Sequence, residues 1–457
     1  MKLFSELELA PSLAQGLDAQ GYVQMTPVQA QGLPTILAGG DLIAQAPTGS
    51  GKTAAFGLGL LQRVDTALIR VQALVLCPTR ELADQVAKEI RRLATGLPNL
   101  KVLILTGGVS LRPQLASLVH DPHVVVGTPG RVQELLRKQA LHLGGVRTFV
   151  LDEADRMLDM GFEEAIREIA GKVNKARQTL LFSATYPPAI REIARSLMRD
   201  PTEVIVGGDA SQPAIAQIFH EVELAQKPGV LAALLLAHKP ESTVVFCNTR
   251  RDTEDVAAAL NQLGFNALAL HGDMEQRDRD EILLCFANGS CNVLLASDVA
   301  ARGLDIKDLG AVINYELPTD PDVYLHRIGR TGRAGRSGLA LSLVTPRELP
   351  RAHALEDLRG EKLRWATQAP VRGRIPNAPQ AAMSTLCIDA GKTDKLRAGD
   401  ILGALTGDNG LPSDAIGKID TFATRSYVAI RRELLGQAHK RLSEGKIKGR
   451  SFRVRRI

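Results

Sequence analysis

Short apolar runs recur along the first half of the chain, near Leu42–Gln45, Ala73–Cys77, Val102–Leu105, Val124–Val126, Thr148–Leu151 and Thr179–Phe182. Several have no polar alternation, the pattern of strands buried on both faces of a parallel sheet. Between them, Lys52–Gln62, Glu81–Leu93 and Arg131–Lys138 carry the helical period. Strand and helix in alternation predict α/β architecture.

Val206-Gly-Gly-Asp-Ala-Ser-Gln-Pro213 interrupts the pattern and reads as a linker. The second half then restarts it, with strands expected near Thr243–Phe246, Ala267–Leu270, Val293–Ala296, Ala311–Asn314 and Ala340–Val344. A second break, Thr367 to Gln380, holds three prolines in 14 residues and no apolar period. Three domains follow from these breaks: residues 1–207, 214–366 and, after a linker over 367–382, a small unit at 383–457. That unit reads as strand (Ser384–Asp389), helix (Arg397–Leu405), strand (Gly417–Thr421), strand (Ser426–Ile430), helix (Arg432–Leu442) and strand (Phe452–Arg455).

Composition narrows the class. Of 457 residues, 45% are hydrophobic and 23% charged, as in soluble globular proteins. No apolar run reaches the ~18 residues of a membrane span, and Glu6 and Glu8 fall where a signal peptide has its apolar core. A cytoplasmic location is expected, with no membrane partner. The five cysteines form no Cys-x-x-Cys pair and the nine histidines no zinc-finger spacing, so buried free thiols are expected.

Charge is unevenly spread. The whole chain is +6, but residues 383–457 hold 15 Lys+Arg against 8 Asp+Glu, leaving the preceding 382 residues at −1. A charge run is ordinarily a solvated face; a basic end on a neutral body is also a footprint for a polyanion.

Ala46-Pro-Thr-Gly-Ser-Gly-Lys-Thr53 lies between an apolar strand and a helix. In that setting Thr48, Gly49, Ser50 and Gly51 form a loop whose backbone N–H groups face phosphates, and the helix N-terminus adds its dipole. Lys52 then reaches the β/γ-phosphates of ATP, and the Thr53 hydroxyl can ligate Mg²⁺. Ala46 stands where the strict pattern has glycine. Further on, Asp152-Glu-Ala-Asp155 ends another apolar run. Asp152 suits a Mg²⁺ anchor, partly through water, and Glu153 can orient the attacking water.

With these two motifs the chain resembles the DEAD-box RNA helicases from Phe4 to about Val344. Thr26-Pro-Val-Gln29, the phosphate loop, Pro78-Thr-Arg-Glu-Leu82, Gly107-Gly108, Thr128-Pro-Gly-Arg131, Asp152–Asp155 and Ser183-Ala-Thr185 occur in order. The second half adds Val244–Thr249, His271-Gly-Asp273, Ser297–Ile306 and His326–Arg333. The family's loop begins with alanine, which accounts for Ala46. The resemblance implies two tandem RecA-like domains and an RNA-dependent ATPase.

The resemblance also assigns roles. Gln29 would read the adenine edge, Phe4 would stack beside the base, and Ser183 and Thr185 would couple the acidic run to domain closure. Arg330 and Arg333 look like arginine fingers, worth ~10³–10⁵ in rate in other phosphoryl-transfer enzymes. Asp305 joins the nucleotide set. Arg80, Gly108, Thr128, Arg131, Thr249, Gly272 and Arg302 are the implied RNA contacts, reading backbone and 2′-OH rather than bases.

The order of elements in 383–457 resembles the RNA-recognition motif fused to DbpA-type helicases, a small α+β (RRM-like) domain. That resemblance implies a hairpin of large-subunit (23S) ribosomal RNA as partner, in ribosome assembly. Tyr427 is the aromatic expected to stack, at ~1–3 kcal/mol per base. Lys392, Lys395, Arg397, Arg425, Lys446, Lys448 and Arg450 are expected to carry much of the affinity. A scaffold that uses ATP only to clamp RNA stays an alternative, and a DNA translocase a weaker one; intact Glu153, Ser183, Thr185, Arg330 and Arg333 favour turnover. A monomer without an obligate protein partner is expected.

Overall fold

The computed structural model describes residues 2–47, 49–206, 215–301, 309–332, 338–366, 378–407 and 410–457. The first half forms a seven-stranded parallel sheet: β1 (Leu42–Gln45), β2 (Ala73–Leu76), β3 (Val102–Leu105), β4 (Val124–Gly127), β5 (Thr148–Asp152), β6 (Gln178–Ser183) and β7 (Thr202–Ile205). Their order is β3-β4-β2-β5-β6-β1-β7. Successive residues feed two cores. Leu42, Ala44, Val75, Val126, Val150 and Phe182 point into one, and Ile43, Leu74, Leu76, Val125, Leu151 and Leu181 into the other. Side chains alternate across a pleat, so helices on both faces require apolar residues at every strand position.

The second half repeats the plan with β8 (Ile215–Glu221), β9 (Thr243–Cys247), β10 (Ala267–Leu270), β11 (Val293–Ser297), β12 (Ala311–Asn314) and β13 (Gly338–Val344), in the order β10-β11-β9-β12-β13-β8. Two edge strands, β7 and β8, have no counterpart among the strands expected from sequence. An edge strand needs only part of its surface buried, and in β7 Val204 alone is buried. Arg327 locks the strand ends of this sheet. Its guanidinium donates to Asp298 Oδ2 at 2.6 Å, the Glu316 carbonyl at 2.7 Å, Asn248 Oδ1 at 2.9 Å and Asn314 Oδ1 at 3.1 Å.

The terminal unit is a four-stranded antiparallel sheet of β14 (Met383–Ile388), β15 (Ile416–Thr421), β16 (Ser426–Arg431) and β17 (Val454–Arg456), ordered β15-β16-β14-β17. Leu386, Ile388, Val428 and Ile430 join its own core, where the helices Ala398–Thr406 and Leu435–Glu444 bury Ile401, Leu405, Ala438 and Leu442. The opposite face places Tyr427, Cys387 and Arg455 side by side across three strands.

That opposite face is covered by the second domain. Leu284, on the helix Gln276–Ala287, packs with Cys387 and Tyr427. Glu281 on the same helix accepts from Arg455 at 2.8 Å and from the Tyr427 hydroxyl at 3.3 Å. Thr385 meets Asn288 and Ser290 at 2.9 and 2.8 Å, and Arg432 donates to Asn266 at 3.2 Å. Tyr427 is 7% exposed, so the expectation of an open base-stacking ring is corrected: its face packs on protein and burial raises its hydroxyl to a pKa of about 12. All five cysteines are free and buried, and no helix among the described residues is long and apolar enough to cross a membrane.

Because Glu281 carries two of these contacts, Glu281→Lys sets a like charge against Arg455. The reactivity of Cys285 and Cys387 toward a disulfide reagent should rise about tenfold, as expected for the loss of about 1.4 kcal/mol of docking energy. Unchanged protection with the fold intact would show that other contacts hold the domains together.

Candidate active site

The predicted motifs lie immediately beyond the carboxyl ends of parallel strands. The phosphate loop follows β1, Pro78–Leu82 follows β2, Gly107-Gly108 follows β3 and Thr128–Arg131 follows β4. Asp152 ends β5 and Ser183 ends β6. A parallel sheet brings all these ends to one edge, the general position of ligand crevices in open α/β sheets.

Gly49 and Gly51 take left-handed backbone conformations, φ 86° and 92°. A side chain at Gly51 would collide with Gln29 Nε2 and crowd the Thr26 hydroxyl, so close approach as well as φ excludes other residues. Gln29 is buried; its Nε2 donates to the Gly51 carbonyl at 3.1 Å and its Oε1 accepts from Thr26 N–H at 2.8 Å. The expected adenine-reading amide is thereby tied to the phosphate loop. Lys52 Nζ reaches back to the Ala46 carbonyl at 2.9 Å, and Thr53 follows it on the helix Lys52–Arg63. Thr48 lies outside the described residues, as do Arg302, Asp305 and Arg333.

The acidic run divides its labour. Asp155 Oδ2 accepts from Thr185 N–H at 2.9 Å, the Thr185 hydroxyl at 3.0 Å and Ala184 N–H at 3.1 Å, while Ser183 Oγ accepts from Asp155 N–H at 3.3 Å. Burial alone would raise the Asp155 carboxyl, but the Thr185 donors hold it below its ordinary value. Asp152 has less support, from Lys52 and the Glu153 backbone alone. It is 3% exposed, its Oδ1 has no hydrogen-bond partner, and burial pushes it up to about 7 against the opposing pull of Lys52. A buried carboxylate oxygen without a donor fits a cation site, and the glycine cradle beside Lys52 fits phosphates. Glu153 takes φ 54°, ψ 54°, a left-handed conformation costing ~1–3 kcal/mol for a residue with a side chain.

Phe4, expected to stack beside the base, packs on Tyr22. It is 4% exposed, with its ring edge-on to Tyr22 at 5.6 Å between centroids. Tyr22, half-buried and held through its hydroxyl by Glu89 at 2.8 Å, is the more exposed ring of the pair. One aromatic beside Gly21 carries no periodic signal, so Tyr22 does not stand out in the sequence.

The first-domain residues expected to contact RNA converge. Thr128 Oγ1 accepts from Gly107 N–H at 3.4 Å, and Arg131 donates to the Val109 carbonyl at 3.0 Å. Gly108 sits directly under the Arg80 guanidinium, and Arg131 Nη1 is buried without a partner. In the second domain Thr249 caps the helix Arg250–Gln262, and an Arg250–Asp273 ion pair brings it toward exposed Gly272. Arg330 is buried there.

In the terminal domain the loop 391–397, the hairpin end 422–425 and the turn 446–450 meet. Lys392 N–H donates to the Phe422 carbonyl at 2.8 Å, Lys448 Nζ to the Lys395 carbonyl at 3.2 Å, and Arg450 lies 3.5 Å from Asp394. Lys392, Lys395, Arg397, Lys446, Lys448 and Arg450 are exposed. Arg425 leans toward Asp389 at 3.5 Å, partly buried.

Three family models match in succession: the DEAD/DEAH box helicase at 26–193, the helicase conserved C-terminal domain at 226–335 and the DbpA RNA binding domain at 385–456. The chain is 54% identical over 456 residues to the ATP-dependent RNA helicase DbpA of Escherichia coli, covering 100% of this chain and 99% of that one. It belongs to the DEAD-box RNA helicases. A Bacillus cereus DEAD-box ATP-dependent RNA helicase, CshA, is 46% identical over 76% of this chain and 66% of its own. Saccharomyces cerevisiae Dbp5 bound to RNA and ADP BeF3 superposes with a TM-score of 0.74 at 32% identity, over 80% of this chain and 96% of that one. The two parallel-sheet domains are RecA-like, and the chain is an ATP-dependent RNA helicase that uses a metal.

With Asp152 as the expected metal anchor, its raised carboxyl would give metal binding a pH dependence. The anion binds metal, and its fraction falls as pH drops through about 7. Metal-dependent affinity for fluorescent ADP should fall about tenfold from pH 8 to pH 6, and Asp152→Asn should abolish the Asp152 part of that slope.

Proposed function

We propose that this helicase locally separates RNA duplexes by RNA-stimulated ATP hydrolysis, and that its terminal domain directs it to a hairpin of large-subunit (23S) ribosomal RNA during subunit assembly. The observation that carries the address is the basic loop cluster of the terminal domain. It remains exposed while the sheet face is covered by the second domain, and it lies within the segment matching the DbpA RNA binding domain. The working boundaries are 1–207, 214–366 and 383–457, in a monomer acting in the cytoplasm.

In the catalytic step Gln29 would read adenine, Lys52 with the backbone of Gly49, Ser50 and Gly51 would hold phosphates, and Thr53 and Asp152 would hold Mg²⁺, partly through water. Bound magnesium offsets charge on the phosphate oxygens. Glu153 orients the water, while Asp155, Ser183 and Thr185 hold the acidic run in register. Arg330 and Arg333 act as fingers once RNA spanning both RecA-like domains favours closure. Arg80, Gly108, Thr128 and Arg131, with Thr249, Gly272 and Arg302, grip the backbone. Lys392, Lys395, Arg397, Arg425, Lys446, Lys448 and Arg450 hold the hairpin mainly through phosphates. Such contacts make affinity strongly salt-dependent.

ATPase turnover with ribosomal RNA, poly(A) and DNA tests this reading. Ribosomal RNA should stimulate most, and a chain lacking 383–457 should lose that preference; equal stimulation by all three defeats the address. Glu153→Gln should retain ATP and RNA binding while turnover falls about 10²–10⁴-fold. Near-normal turnover would remove its role.

A further inference from the structure

Glu153 is not placed by backbone preference, because its left-handed conformation is unfavourable for a glutamate. Something must hold it. The helix Ala154–Asp159 begins immediately after it, and Met157, fully buried in the core, fixes the register of that helix. Arg156 therefore returns one turn later on the side of Glu153. Its Nη1 donates to Glu153 Oε2 at 2.9 Å, with both side chains about nine-tenths buried. Among the described residues, no other hydrogen bond engages the Arg156 guanidinium, and the backbone N–H of Arg156 donates to Asp155 Oδ1 at 3.0 Å.

We infer that Arg156 is a positioning residue for ATP hydrolysis: it holds Glu153 by one carboxylate oxygen and leaves the other, Oε1, to orient the attacking water. The inference rests on the reading of Glu153 as the water-orienting carboxylate. A buried ion pair by itself is poor reason to expect stabilisation, since apolar residues of similar volume usually serve as well. This pair instead fixes a flexible side chain of three rotatable bonds at the point where misplacement is most costly. A displacement of about 1 Å at a reacting group can lower a rate about 10²-fold. Arg156 also links the two carboxylates, gripping Glu153 with its side chain and Asp155 with its backbone. The Asp155 contacts to Ala184 and Thr185 thus bear on the orientation of Glu153.

The test uses the full chain with Arg156→Met, Arg156→Lys and Glu153→Gln. Arg156→Met should lower RNA-stimulated kcat about 10²-fold, with Kd for fluorescent ADP within about twofold of wild type. Retention of fluorescent ADP with aluminium fluoride and RNA, which requires an ordered attacking position, should weaken by a similar factor; Arg156→Lys should recover part of both. In the Glu153→Gln background, Arg156→Met should add no further loss, because nothing is left to position. Multiplying losses in the double variant, or equal loss of ADP affinity and kcat, would show a merely structural role. Normal turnover by Arg156→Met beside an inactive Glu153→Gln sinks this inference alone. Full turnover by Glu153→Gln sinks the reading of Glu153 and the inference with it. If Arg156→Met melts early, Arg156→Gln keeps a donor and carries the same expectation at smaller size.

Discussion

Asp155 joins the ends of two neighbouring strands, and the catalytic edge is organised around that join. Its Oδ2 takes three donors from Ala184 and Thr185, beyond β6, while its own N–H reaches Ser183. Ala46 N–H in turn donates to the Ser183 carbonyl at 3.0 Å, which ties the phosphate loop to the same point. Buried polar groups left without partners are costly, so this network constrains all three segments together. Asp152 and Glu153 can then be left comparatively unsupported, one with an orphaned oxygen and the other in a strained backbone. Glu153 is held through its side chain by Arg156, while Asp152 faces the like charge of Asp155 and is opposed by Lys52.

The second constraint is the covered face of the terminal sheet. An antiparallel sheet with helices on one side offers its other face to a partner, and in RNA-recognition domains aromatic side chains there stack bases. Here that face carries Tyr427, Cys387 and Arg455 and is occupied by Leu284 and Glu281. Cationic side chains remain exposed on the loops 391–397 and 446–450. Docking by the sheet leaves the loops open, so an RNA hairpin held there, as proposed, would be carried on the same unit as the second RecA-like domain. Linking two binding surfaces in this way raises effective concentration without new contacts.

Much was legible in the sequence because its signals are local. Parallel strands buried on both faces favour apolar residues at successive positions, so β2 and β4 stand out as unbroken runs. The phosphate loop needs glycine where φ is positive, and Gly49 and Gly51 are where the motif placed them. Of the four edge strands of the parallel sheets, β3 and β10 are apolar runs and stand out, while β7 and β8 escaped because half-burial leaves a weak pattern: Thr202–Ile205 has one buried residue. Tyr22 and Arg156 escaped for a related reason. Neither has a spacing that marks it, and each acquires meaning only from what packs beside it.

The sequence alone determined the fold class, the chemistry of the phosphate loop and the acidic run, and the family to which they belong. These depend on residue type and on neighbours a few positions away. Only the tertiary structure decided that Gln29 engages Gly51, that Phe4 lies buried against Tyr22 and that Arg156 holds Glu153. It likewise decided that Tyr427 faces Leu284 and Glu281 rather than solvent, 146 residues from its carboxylate partner. A side chain's partner across such separations is fixed by how whole elements pack, and no local pattern records it.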